Sequence, residues 1–106
     1  MVTRKFALEK IGSLITELKK AGYSPERAYL FGSVAKGSPT PYSDIDLALW
    51  DKQFTGVLHL DYEPIKKILI NFKEIELHTF NNNETEKINP FIREIVDQGI
   101  SVEIQK

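Results

Sequence analysis

The sequence predicts one α/β (α+β) domain built on a small mixed β-sheet of about four strands, with helices packed on one face. Two observations support this prediction. Four short segments are continuously apolar or alternate apolar with polar residues, which is typical of strands. Three longer segments space their apolar residues by three and four, which is typical of amphipathic helices. With 106 residues, the chain has the length of a single domain.

The first part of the chain predicts one helix followed by one strand. The helix carries its apolar residues on one face, and Gly22 is placed to end it. Residues 28–31, Ala-Tyr-Leu-Phe, form a short apolar run that indicates a buried strand. Glycine, serine and proline crowd residues 32–43, so we expect a loop there. The apolar face of the helix consists of Leu8, Ile11, Leu14, Ile15 and Leu18.

The middle of the chain predicts two further strands joined through a helix. Apolar residues at every second position of 45–49 indicate a half-buried strand. A helical pattern follows, and we expect its regular part after Asp61 because Pro64 fits only in the first turn of a helix. Apolar and polar side chains alternate again in residues 74–79, which predicts the next strand.

The last part predicts one helix and one strand. Asn89 followed by Pro90 is typical of a helix cap and first turn, and Gly99 is placed to end that helix. Alternation in residues 100–105 predicts a final strand at an edge of the sheet. The predicted order is helix, strand, strand, helix, strand, helix, strand.

The composition excludes several classes of function. With 14 Lys and Arg against 15 Asp and Glu, the net charge is -1, so overall charge does not indicate nucleic-acid binding. The absence of cysteine excludes disulfides, thiolate zinc sites and cysteine nucleophiles. No apolar run is long enough to span a membrane, and the N-terminus has no signal-peptide core, so we expect a cytoplasmic protein without a membrane partner.

Two short motifs carry candidate chemistry. Gly32 and Ser33 follow a buried strand, where small residues let backbone N–H groups approach a phosphate closely. Asp44 and Asp46 are two residues apart on a predicted strand and should therefore project side by side. Two carboxylates so close repel each other unless a cation lies between them, and carboxylate oxygens suit Mg²⁺ or Mn²⁺.

A third carboxylate would complete a site for two divalent ions. Glu76 is the best candidate if its strand pairs with the strand of Asp46, and Glu74 is the lower-ranked rival. Two ions about 3.5–4 Å apart clamp the attacking and leaving oxygens in a phosphoryl displacement. His78 should share the face of Glu76; we interpret it as a surface histidine, and the alternative is a neighbour of the site.

These motifs together resemble a known family. Residues 31–37, Phe-Gly-Ser-Val-Ala-Lys-Gly, and 42–47, Tyr-Ser-Asp-Ile-Asp-Leu, are similar to the signature of the DNA polymerase beta-type nucleotidyltransferase superfamily. The short, stand-alone minimal nucleotidyltransferases (MNT proteins) resemble the chain most closely. The resemblance implies one nucleotidyltransferase domain over residues 1–106, two Mg²⁺ (or Mn²⁺) ions, and ATP or another nucleoside triphosphate as substrate.

The resemblance also implies roles for individual residues. The nucleotide site would comprise Gly32 and Ser33, which match positions that hold the outer phosphates, together with Lys36 and Ser43 from the same motifs. Lys36 stands where the family often has Arg. Lysine keeps the positive charge but lacks the planar fork of donors of the arginine guanidinium. The catalytic and metal-binding carboxylates would be Asp44, Asp46 and Glu76, the last a Glu where the family has Asp.

Two functional hypotheses follow from the resemblance. In the first, the protein is an enzyme that transfers AMP from ATP to a hydroxyl acceptor and releases pyrophosphate. The acceptor would be a tyrosine of a HEPN-domain RNase toxin, for which this protein would be the antitoxin. In the second, the nucleotide site persists but the protein acts on its partner by contact alone. The sequence predicts neither the base that is recognised nor an oligomeric state.

Overall fold

The computed structural model describes residues 2–37 and 44–104 of the chain. Four strands form one sheet, and they are β1 (Arg27–Phe31), β2 (Ile45–Trp50), β3 (Ile75–Phe80) and β4 (Ile100–Ser101). Their order is β3–β2–β1–β4, with β2 and β3 parallel and the other pairs antiparallel. The predicted fold class, a small mixed sheet of four strands with helices, is therefore confirmed.

The helices of the described residues are α1 (Arg4–Lys20), α2 (Gly32–Lys36), α3 (Leu58–Tyr62), α4 (Lys66–Leu69) and α5 (Pro90–Gln98). A 3-10 turn, Glu63–Ile65, separates α3 from α4. The prediction of one helix with its regular part after Asp61 is wrong, because helical structure already begins at Leu58. It is then interrupted at Pro64, which has no N–H to continue an α-helical ladder. In the part of the chain that the structure describes, no helix is long and apolar enough to cross a bilayer.

The sheet is covered on both faces, and this corrects the prediction that the helices pack on one face. The sheet has a hydrophobic core on each face, and the larger one lies on the face from which Leu47 projects. Helices α1 and α4 pack on that face. Ala48 and Trp50 point the other way and pack against Ile92 and Ile95 of α5. Because both faces of β2 carry apolar side chains, each face needs a cover, and β2 is a buried strand rather than a half-buried one.

Two segments differ from their predicted structure. The stretch 32–43, predicted as a loop, begins with the short helix α2, whose Val34 and Ala35 are buried and therefore stabilise a turn of helix despite the preceding glycine. The last strand is shorter than predicted and pairs only with the end of β1, although Val102 N–H still donates to Ala28 at 2.8 Å. Its predicted position at an edge of the sheet is confirmed.

The connection between β2 and β3 also holds the outer edge of β3. The buried carboxylate of Asp61 accepts hydrogen bonds from the N–H groups of Thr55 and Gly56 and from the hydroxyls of Thr55 and Thr79, at 2.6–3.0 Å. The hydroxyl of Tyr62 donates to the carbonyl of Leu77 at 2.7 Å. Because β3 is an edge strand, one of its sides has no neighbouring strand to bind its polar groups. The contacts from Asp61 and Tyr62 are made on that side, and they fix β3 beside β2.

Substitution of Tyr62 by Phe should reveal a pH-dependent contribution to stability. Burial raises the pKa of Tyr62 above its usual value of 10.0, and the negative charge of Glu76 also raises it. A raised pKa in the folded state stabilises the protein below pH 10, and this stabilisation is lost as the pH rises above that value. We expect Tyr62→Phe to cost about 1 kcal/mol at neutral pH and progressively less above pH 10. Urea unfolding of both proteins across this range tests this, and a constant difference would contradict it.

Candidate functional site

The site forms where β1 ends. The chain passes directly from Phe31 into α2 at Gly32, whose φ of 75° only glycine adopts freely. A Cβ on Gly32 would lie 2.2 Å from Oδ2 of Asp46, so this position has no room for any side chain. The glycine therefore lets the carboxylate of Asp46 lie against the backbone of the Gly-Ser turn.

Asp46 and Glu76 are neighbours across the two parallel strands. The register pairs Asp46 with Glu76 and Ala48 with His78. Because side chains alternate along a strand, Asp46, Glu76 and His78 project from the same face, which α5 covers further along. Ligand atoms of these three side chains all lie within 4.8 Å of one another. We call Asp46, Glu76 and His78 the acidic group.

The other two predicted carboxylates lie outside the acidic group. Asp44 immediately precedes β2, is exposed, and contributes no atom to the group. Glu74 lies with Oε1 3.5 Å from Nζ of Lys10, which turns it toward α1. The structure thus brings together two of the three carboxylates in the predicted set, and the participation of Asp44 stays a prediction.

His78 is the residue of the acidic group to which the sequence analysis gave no metal role. Its Nε2 lies 3.9 Å from Oδ1 of Asp46, and its side chain is 26% exposed. The ring packs edge-on against Phe31 and Phe91, with centroids 5.1 and 5.8 Å away. The only sign of this in the sequence was that His78 lies two residues after Glu76, so both side chains project from the same face of the strand. The sequence alone could not show that Phe91 of α5 reaches this face.

Three of the predicted phosphate-binding residues, Gly32, Ser33 and Lys36, lie in α2, which directly follows the end of β1. Ser33 is half-buried in the first turn of α2, and Lys36 is exposed in its last turn. Lys36 borders a cleft of about 120 Å³ that Gly32 and Phe91 also line. The guanidinium of Arg4 donates to the carbonyl of Ala35, which attaches α2 to α1. Ser43, and with it Tyr42 of the predicted motif, lies outside the described residues.

The donor set of the acidic group fits a divalent cation. Two carboxylates this close repel each other, and a cation between them removes that repulsion. Carboxylate oxygens suit Mg²⁺ and Mn²⁺, whereas an imidazole nitrogen also suits later transition metals. Gly32, which has no side chain, lets the carboxylate of Asp46 lie against its backbone. Asp46, Glu76 and His78 are therefore the residues that would hold a metal ion.

A larger cleft lies elsewhere on the molecule. It measures about 520 Å³, lies between α1 and the segment after β4, and is lined by residues that include Glu9, Lys19 and Glu103. No residue of the acidic group contributes to it. We assign the chemistry to the acidic group, because converging ligand atoms define a reactive site more directly than the volume of a surface cleft does.

Comparisons with known proteins place the chain in a family. The family model described as "Nucleotidyltransferase domain" matches residues 11–102. Among solved structures, a Sulfolobus solfataricus protein named as a "putative nucleotidyltransferase" is similar in fold, with a TM-score of 0.63 and 17% sequence identity. The similarity covers 90% of this chain and 78% of that one. A search of curated proteins finds no match.

Substitution of Gly32 by Ala should damage the site as well as the fold. Gly22 offers a matched control, since its φ is 96° but a Cβ there would meet nothing within 4 Å. We expect Gly22→Ala to cost about 1 kcal/mol of unfolding free energy through backbone strain alone. Gly32→Ala should cost more, because its Cβ collides with Asp46, and should also weaken Mn²⁺ binding.

Urea unfolding and Mn²⁺ titration followed by electron paramagnetic resonance measure the two effects. We expect Mn²⁺ affinity to fall by at least about tenfold in Gly32→Ala and to stay unchanged in Gly22→Ala. Equal Mn²⁺ affinity in both variants would contradict the role of Gly32 beside Asp46.

Proposed function

The chain belongs to the nucleotidyltransferase domain family, and we propose that it transfers AMP from ATP to a hydroxyl group, using divalent metal ions. The observation that carries this proposal is the parallel register of β2 and β3. This register puts the carboxylates of Asp46 and Glu76 side by side, and Asp46 lies against Gly32 of the Gly-Ser turn. The pair of carboxylates that we propose as metal ligands therefore adjoins the turn that we propose as the phosphate-binding segment.

The reaction is a displacement at the α-phosphorus of ATP. The acceptor oxygen forms a bond to that phosphorus, the bond from phosphorus to the bridging oxygen of the β-phosphate breaks, and pyrophosphate leaves. The acceptor proton passes to a carboxylate of the site or to solvent. Divalent ions, when bound, supply the positive charge that the developing negative charge requires. Asp46 and Glu76 would hold them, and we propose Asp44 as a third carboxylate ligand.

The Gly-Ser turn and α2 would bind the outer phosphates. Gly32 has no side chain to keep a phosphate away from the backbone, and the next residue, Ser33, carries a hydroxyl. Lys36 lies one helical turn further on and is exposed, so its ammonium group is available to a phosphate as a mobile point charge. Ser43 belongs to the same proposed nucleotide site.

We further propose that the acceptor is a tyrosine of a partner protein. The resemblance to minimal nucleotidyltransferases favours a HEPN-domain RNase toxin as that partner and an antitoxin role for this chain. Phe91, which is 41% exposed and packs beside His78, offers an aromatic surface next to the acidic group for such a ring. A tyrosine hydroxyl needs to approach the α-phosphorus closely, and the open face beyond α5 gives it access.

A second candidate function is nucleotide binding without transfer. The position of Asp44 outside the acidic group favours it, and so does Glu76 in place of the family's Asp, since the added methylene changes the reach of the carboxylate. In that case the protein would control its partner by contact. Calorimetry with ATP and Mg²⁺ beside a transfer assay separates the two functions, because binding without transfer supports only the second.

Removal of the charge at Asp46 should abolish transfer. We expect Asp46→Asn, and the double variant Asp44→Asn with Asp46→Asn, to lower the rate by at least about a hundredfold, since the amide no longer binds the metal that neutralises the phosphates. The assay uses ATP labelled in its α-phosphate, Mg²⁺, and a HEPN-domain RNase as the proposed acceptor. Transfer of label to protein is measured on denaturing gels.

Glu74→Gln is the matched control for Glu76→Gln, because Glu74 immediately precedes β3 and lies two residues from Glu76 but is turned toward Lys10. We expect transfer to persist in Glu74→Gln and to be lost in Glu76→Gln. Undiminished transfer by the double aspartate variant would exclude the proposed reaction at this site.

A further inference from the structure

We propose that His78 binds the metal ion of the acidic group through Nε2, and that the site therefore prefers a transition-metal ion such as Co²⁺ or Zn²⁺ to Mg²⁺. The inference deepens the proposed function, because it concerns the ion held by the same Asp46 and Glu76. It concerns a residue that lies outside the three carboxylates predicted from the sequence.

The distances allow one ion to contact all three side chains. An ion bound at about 2.0–2.2 Å from each ligand permits two ligands to lie up to about 4.2 Å apart. Nε2 of His78 is 3.9 Å from Oδ1 of Asp46, which is within that limit. All three ligand atoms lie within 4.8 Å of one another, so a change of carboxylate rotamer that shortens the longest separation is needed for one ion to contact the whole set.

The surroundings of His78 fix its ring in the orientation that this role needs. Phe31 and Phe91 pack edge-on against the ring, and their own centroids are 5.9 Å apart. These apolar neighbours bring no charge that competes for the imidazole, and they restrict its rotation while Nε2 faces Asp46. A ligand that is already oriented loses little conformational entropy when it binds a metal.

The chemistry of nitrogen ligands decides the choice of ion. Imidazole binds zinc and other later transition metals well, whereas Mg²⁺ prefers oxygen ligands and retains its waters. Two carboxylates and one imidazole form a mixed site rather than an all-oxygen one. The competing interpretation is a simple ion pair between protonated His78 and Asp46, which predicts no change in metal preference when His78 is replaced.

The chain provides its own control, because His59 is its other histidine and lies exposed in α3. Two-bond ¹H–¹⁵N NMR spectra of the imidazoles, recorded during titration with Zn²⁺ at pH 7.5 (about one unit above the usual histidine pKa), report which nitrogen is coordinated. We expect the Nε2 signal of His78 to shift at one equivalent of Zn²⁺ while both signals of His59 stay in place. The same spectra of Asp46→Asn should show no such shift.

Calorimetry of His78→Asn and His59→Asn gives the second readout. We expect His78→Asn to bind Zn²⁺ and Co²⁺ at least about tenfold more weakly than the natural protein, and Mg²⁺ with nearly unchanged affinity. His59→Asn should match the natural protein for all three ions. If His78→Asn does not fold, which urea unfolding reports, the NMR titration of the natural protein decides alone.

The outcomes separate this inference from the proposed function. An unmoved His78 Nε2 signal, or equal losses of Zn²⁺ and Mg²⁺ affinity in His78→Asn, overturns the metal-ligand role even if transfer requires Asp46. A shifted His78 signal in a protein that transfers no nucleotide supports the role and removes the catalytic proposal instead.

Discussion

The site depends on the parallel pairing of β2 with β3. A parallel pair needs a long crossover, and here residues 51–74 leave the end of β2 and return to the start of β3 with three short helical pieces on the way. This crossover covers one face of the sheet. Its Asp61 and Tyr62 hold the outer edge of β3 through Thr79 and the backbone of Leu77. The position of Glu76 beside Asp46 is therefore a consequence of the strand register, which the crossover maintains.

The second face of the sheet explains why the acidic group remains accessible. Positions 46, 48 and 50 of β2 share that face, and α5 packs on the buried cluster that contains Ala48, Trp50 and Phe80, whereas the side chain of Asp46 stays 24% exposed. Asp46 lies at the other end, next to the start of α2. The N-terminus of α5, capped by Asn89, presents Phe91 toward His78. A single strand thus changes along one face from a packed core to a polar site.

Local patterns in the sequence were sufficient to predict where the strands lie. They were also sufficient to predict on which side of each strand the candidate acidic residues project. Alternation with a period of two placed Asp46 and Glu76 on outward faces, because that property needs only the pleat of the strand. The packing of α5 on the second face was not accessible in this way, since an amphipathic helix shows that it has an apolar side but not which face of a sheet it covers. The short helix α2 was missed for a related reason, because burial of Val34 and Ala35 outweighs the glycine and serine that precede them. The contact of His78 with Asp46 likewise depends on strand register, which a single sequence does not display.

The two buried aspartates, Asp51 and Asp61, differ from the partly exposed Asp46 in their hydrogen-bond partners. Asp51 accepts the N–H groups of Ser24 and Gln53, at 2.7 and 2.8 Å, and Asp61 accepts four hydrogen bonds. These donors compensate for the lost hydration of each carboxylate, so both aspartates serve the fold. Asp46 instead faces the carboxylate of Glu76, which repels it, and the imidazole of His78. The chain thus supplies hydrogen-bond donors to Asp51 and Asp61, whereas Asp46 lies against a second acid, which is an arrangement that a bound cation stabilises.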